Sequence, residues 1–111
     1  MKDPISYDDF EKLDIRIGTV LSAEKVPETD KLLKLMIDLG EESPRQIISG
    51  IAAYFPDPGV LVGLSLPVLA NLEPRIIRGV ESQGMILAAS NDSAFSVLIP
   101  QNKMTPGSRV K

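Results

Sequence analysis

The sequence predicts an all-β domain, a five-stranded barrel with additions at both ends. Three observations carry that prediction. Leu33, Leu35, Ile37 and Leu39 alternate strictly with Lys34, Met36 and Asp38, the period of a half-buried strand. The other apolar runs are also short and are separated by Pro, Gly, Asn and Asp, with no βαβ spacing. A third alternation, over residues 13–21, runs through Gly18. A long strand bent at a glycine suits a small closed barrel.

The elements follow in order. Ser6 and Asp9 have capping-box spacing, so a short helix is expected through Phe10 and Leu13, with Ile5 as its staple. Leu13, Ile15 and Ile17 then begin the first strand, with a bulge or bend expected at Gly18. Pro27 to Lys31 is a turn, residues 33–39 the second strand, and Gly40 to Pro44 a hairpin-type loop. Arg45 to Ile51 reads as the third strand. Ala52 to Gly63 reads as a loop with at most one helical turn. Leu64 to Ala70 is the fourth strand, where Pro67 marks an edge or a bulge. Gln83 to Ala89 is the fifth and Phe95 to Ile99 a short sixth, followed by a tail at Arg109-Val110.

Composition limits the chemistry. The 111 residues make one domain, with 43% hydrophobic and 24% charged residues. Cysteine and histidine are absent, which excludes disulfides, thiolate nucleophiles, Cys/His zinc sites and histidine-based catalysis. No apolar run approaches the roughly 20 residues of a membrane helix. The first twelve residues have no signal-peptide core. A cytoplasmic, metal-free and cofactor-free protein is expected. The net charge of −3 disfavours nucleic acid as a partner, but its distribution is uneven. Residues 1–44 hold 6 basic and 11 acidic groups, whereas residues 45–111 hold 6 basic and 4 acidic ones. A locally basic face can hold phosphates, because distant acids are screened over about 8 Å at physiological salt.

Four constellations are candidates for function, each with a plainer structural reading beside it. Lys31 and Lys34 can contact phosphates at the mouth of a strand, or simply keep a sheet edge soluble. Ser49-Gly50 lets a ligand approach the backbone closely, or merely bends a strand. Between Asn71 and Gly79, Arg75 and Arg78 are interleaved with Ile76 and Ile77 in an expected loop. Their donor forks suit phosphates, or salt bridges to Glu73 and Glu81. In Glu81-Ser82-Gln83-Gly84-Met85, Ser82 and Gln83 can meet base edges and Met85 an unpaired base, or Met85 is core. Aromatic residues are few, and only Tyr54 and Phe55 are placed to stack bases.

Together these segments carry a resemblance. Asp8-Asp9-Phe10-x-Lys12-x-Asp14-x-Arg16, Asp30-Lys31-Leu32-Leu33-Lys34-Leu35, Ser49-Gly50-Ile51, Ala70-Asn71-Leu72-x-Pro74-Arg75 and Gly79 to Ala89 occur in order. The chain resembles the tRNA-binding domains found at the C-terminus of bacterial methionyl-tRNA synthetases and in stand-alone dimeric tRNA-binding proteins, and the related CsaA-type chaperones. The resemblance runs from about Ile5 to Val110. It implies an OB-fold, a five-stranded Greek-key barrel that binds tRNA by shape with little sequence preference, as a homodimer. By resemblance Lys31, Ser49, Asn71, Arg75, Ser82 and Met85 occupy the tRNA face, and Arg78 joins them from the reading of the loop. The expectation is a non-catalytic domain serving methionyl-tRNA synthetase, within its chain or in trans. The alternative is a CsaA-like chaperone for unfolded preproteins, with an apolar groove built from Val60-Leu61-Val62 and Phe95-Val97-Leu98.

Overall fold

Alternation in the sequence becomes burial in the structure. The computed structural model describes residues 1–111. Its elements are α1 (Tyr7–Glu11), β1 (Ile15–Lys25), β2 (Leu33–Asp38), β3 (Arg45–Ser49), β4 (Ser65–Leu69), β5 (Arg75–Ile77), β6 (Val80–Ser82), β7 (Met85–Ile86), β8 (Ala88–Ser90), β9 (Phe95–Val97) and β10 (Arg109–Val110). In β2, Leu33, Leu35 and Ile37 are fully buried while the residues between them are not. With Val20, Ile47, Leu61, Leu66 and Val68 they form the fully buried centre of the core. Each such side chain contributes about 1.5–3 kcal/mol by leaving water.

The main sheet runs β3-β2-β1-β4-β7, and every pairing is antiparallel. Its pivot is β1, which pairs β4 over Ile15–Thr19 and β2 over Thr19–Lys25. Sharing one long strand between two partners curls the sheet into a nearly closed, OB-fold-like barrel. Two 3₁₀ turns, Ala52–Tyr54 and Pro58–Leu61, follow β3, and the second drives Leu61 into the core against β1. The tail returns as β10 beside Ile15 and Arg16. Ser6 caps α1 by accepting from the Asp9 amide at 3.0 Å.

Several expectations are corrected. The bulge in β1 lies between Val20 and Ser22, not at Gly18. Gly18 is regular strand opposite Leu66, and its role is space. A Cβ there would overlap the Ile37 side chain and come within 2.8 Å of Leu39 Cδ2. Pro67 sits in an interior strand, neither at an edge nor at a bulge. Its partner Ile17 turns both backbone groups toward Ser108 and Gly107, so the missing proline N–H leaves no gap on that side. The expected fifth strand is split into β7 and β8, and β8 pairs β9 as a separate hairpin. The helix ends at Glu11, short of Leu13, and Ile5 stays two-thirds exposed and cannot serve as a staple. Where one helical turn was expected between Ala52 and Gly63, there are two. Tyr54 stacks on Phe95 with ring centroids 4.3 Å apart, so that ring already has a partner.

Candidate nucleic-acid interface

Residues 71–79, expected to form a loop, are mostly a β-hairpin. β5 pairs β6 with Arg75 opposite Ser82, Ile76 opposite Glu81 and Ile77 opposite Val80. The two turn residues, Arg78 and Gly79, have φ of 54° and 82°. Both values are positive, as a type I′ turn requires of its central pair. Arg78 is therefore held at the tip of an arm in a conformation usually given to Asn or Gly. The arm forms its own two-stranded sheet; it is tied to the barrel at its root, and at its tip Arg78 donates a long hydrogen bond of 3.5 Å to the Glu28 carbonyl.

That root is built from side chains. The Arg45 guanidinium on β3 donates to the Ala70 carbonyl, where the chain leaves the barrel, and to the Gln83 carbonyl at 3.2 Å, where it returns. Glu41 fixes Arg45 with two hydrogen bonds of 2.8 and 2.9 Å. Ser82 is buried; its hydroxyl accepts from the Ile48 amide at 2.9 Å and donates to the Gly84 carbonyl at 3.0 Å. Gln46 and Gln83 exchange hydrogen bonds, and Gln46 Nε2 donates to the Glu81 carbonyl at 2.8 Å. Asn71 ties the far side. Its amide accepts from the Asp14 N–H at 2.9 Å and donates to the Lys12 carbonyl at 2.7 Å. Hydrogen bonding to Arg45 holds the Glu41 carboxyl below its ordinary range, and hydrogen bonding to Arg16 does the same for Asp14.

Six of the seven sequence-predicted residues fall into two groups, and Asn71 lines neither concavity. Ser49, Arg75, Ser82 and Met85 line one groove of about 320 Å³ between the end of β3 and the arm. Lys31 and Arg78 line a neighbouring cleft of the same volume, and Ile77 forms part of both. The salt bridges expected from Arg75 and Arg78 to Glu73 and Glu81 do not form. The four ion pairs of the molecule are Lys12–Asp9, Arg16–Asp14, Lys34–Glu24 and Arg45–Glu41. Lys31, Arg75 and Arg78 are all exposed and belong to none of them. Met85 is 43% exposed on the groove and is not core. Asn71 and Ser82 lie at the root of the arm, with their polar groups already engaged. Sequence reasoning missed the Arg45 clasp, because its partners lie 25 and 38 residues away with no local pattern to announce them.

Comparison with known proteins gives concordant matches. A family model described as "Putative tRNA binding domain" matches residues 15–109. The chain is 54% identical over 109 residues, 98% of its length, to a methionine–tRNA ligase of Archaeoglobus fulgidus. It is 51% identical over 108 residues, 96% of its length, to one of Bacteroides fragilis. It spans 16% of the length of each, a small non-catalytic part of the ligase. Among solved structures, the MetRS related protein of Pyrococcus horikoshii matches with a TM-score of 0.90 at 34% identity, covering 99% of this chain and 100% of that one. The chaperone CsaA of Bacillus anthracis matches with a TM-score of 0.86 at 27% identity, covering 98% and 100%.

The root makes a direct prediction. Replacing Ser82 by Ala strands the buried Ile48 N–H, which costs about 1–3 kcal/mol. Ser49→Ala on the groove rim removes no such bond. Urea unfolding should give Ser82→Ala a clearly lower midpoint and Ser49→Ala a parental one; equal midpoints would contradict the role assigned to the Ser82 hydroxyl.

Proposed function

The chain belongs to the tRNA-binding domain family, and from that premise we propose that it binds tRNA through the arm and the groove beside it. The observation that carries this reading is the set of three exposed cations, Lys31, Arg75 and Arg78, that form no salt bridge and line two adjoining concavities. Elsewhere on the barrel Lys12, Arg16, Lys34 and Arg45 are paired. Cations left unpaired beside two adjoining concavities suit a phosphate backbone, which positions without reading sequence. Recognition is then by the shape of folded tRNA. Ser49 and Met85 supply uncharged contact, while Asn71 and Ser82 hold the arm in place.

The domain acts with methionine–tRNA ligase, in the same chain or in trans. It contributes affinity by placing a second tRNA-binding surface at high effective concentration. It works as a homodimer, a reading supported by the exposed Val60, Val62, Leu98 and Ile99 outside the groove. A second reading, a chaperone for unfolded preproteins, is favoured by the likeness to CsaA. Of the groove drawn from the sequence, Val60, Val62 and Leu98 are exposed and Leu61 is buried in the core.

Salt separates the two. Three phosphate contacts predict a slope of log K against log salt of roughly −2 to −3 for tRNA. Arg75→Ala should flatten the slope by about one unit and weaken different tRNAs by a similar factor. Arg78→Asn keeps a residue that tolerates the turn and removes the charge together with the long hydrogen bond to the Glu28 carbonyl, so it should flatten the slope equally. Filter binding across a salt series checks all three proteins. Parental binding by Arg75→Ala at every salt concentration would place the tRNA elsewhere. Sedimentation of the isolated chain should give about twice 12.1 kDa; a monomer at all concentrations would remove the dimer.

A further inference from the structure

β3 has a free edge that ends inside the groove. Along it, Gln46 and Ile48 turn their amides away from β2 and are satisfied by Gln83 and Ser82. The next outward donor is the Gly50 N–H, which makes no hydrogen bond. Gly50 is exposed, and a Cβ built on it meets nothing within 4 Å. Around it the groove is mostly aliphatic, with Ile77, Met85 and Ile86 along its walls. Two charges face it, Arg75 and Glu73, which are not paired to each other. At about 320 Å³ it lies at the lower end of small-molecule sites. That is too small to admit a duplex and large enough for one nucleotide.

We propose that this groove receives a single unpaired nucleotide of the bound RNA. The inference rests on the tRNA-binding reading and gives it a chemical subsite. The base lies against Ile77 and Met85, which offer apolar contact without the sequence bias of an aromatic cage. Its edge accepts from the Gly50 N–H, in the way a further strand would continue the β3 edge. Arg75 takes the adjoining phosphate as a fork donor. Glu73 repels a phosphate on its own side and accepts from an amino group, so it fixes the direction of entry. Bases with an exocyclic amine, adenine, cytosine and guanine, are therefore preferred to uracil. Folded tRNA always presents a few unpaired nucleotides, so this contact coexists with recognition by shape.

Gly50 makes the test clean. Gly50→Leu fills the groove from its own wall, its φ is ordinary and its surroundings are open, so the fold is kept. Circular dichroism and urea unfolding verify that. Titrations would use tRNA, the single-stranded tetramers A4, C4 and U4, a blunt RNA duplex, and an unstructured apolar peptide. The proposal expects Gly50→Leu to weaken tRNA at least tenfold, with the salt slope flattened by no more than the about one unit that the Arg75 contact supplies. It expects A4 and C4 to bind the parent more tightly than U4 and the duplex, and not to bind Gly50→Leu. Equal tRNA binding by parent and variant would overturn the subsite and leave the tRNA reading intact. Tetramer binding that Gly50→Leu abolishes, with no tRNA binding by the parent, would support the subsite and defeat that reading. A groove that takes the peptide and none of the RNAs, with the peptide displaced by Gly50→Leu, would overturn it in favour of strand addition by an unfolded chain.

Discussion

The barrel depends on a seam that the backbone does not close. Between β3 and residues 81–84 there is one backbone hydrogen bond, from the Gln83 amide to the Gln46 carbonyl. The rest is done by the side chains of Arg45, Gln46, Ser82 and Gln83. An unpaired strand edge inside a small domain is costly, since buried amides must find partners. Here the partners come from the root of the arm, so closing the barrel and positioning the arm are one event. Arg45 makes the link explicit by clasping both Ala70 and Gln83. The seam runs out at Ser49, and beyond it the groove opens.

The same arrangement reconciles an acidic protein with an anionic ligand. The charge of −3 is a sum over the whole surface. Four cations are consumed in ion pairs, two of them near the root, where Glu41 and Asp14 keep their negative charge into acid because arginines face them. Exposed pairs of this kind contribute little stability. Lys31, Arg75 and Arg78 stand outside these pairs, beside the two concavities. Glu73 shares the groove with Arg75, and Glu28 and Asp30 share the cleft with Lys31 and Arg78, whereas acids more than about 8 Å away are screened.

Much of this was legible in the sequence where the physics is local. The alternation of residues 33–39 translated directly into β2, and the Ser6 cap formed as its spacing required. The barrel followed from short strands and a long first one. The arm did not, because Arg75 to Arg78 show no alternation and Arg78 occupies a turn position that its type disfavours. Glycine often marks a bend, but the reason for Gly18 is the approach of Ile37 and Leu39, which only the folded register reveals. Likewise the resemblance puts Asn71 and Ser82 on the tRNA face without saying what they bond. The structure shows where their hydrogen bonds go, and these are long-range contacts that no spacing rule reaches.

The most direct test of the account is a map of the tRNA footprint on the folded domain. Backbone amide chemical shifts of the isotope-labelled chain would be followed during titration with tRNA at moderate salt. The account predicts that the largest changes fall on Lys31, on Ser49 and Gly50, on Arg75 to Gly79 and on Met85, with β2 and the α1 segment unmoved. Changes centred instead on Tyr54, Val60, Val62 and Leu98, with the arm silent, would contradict it.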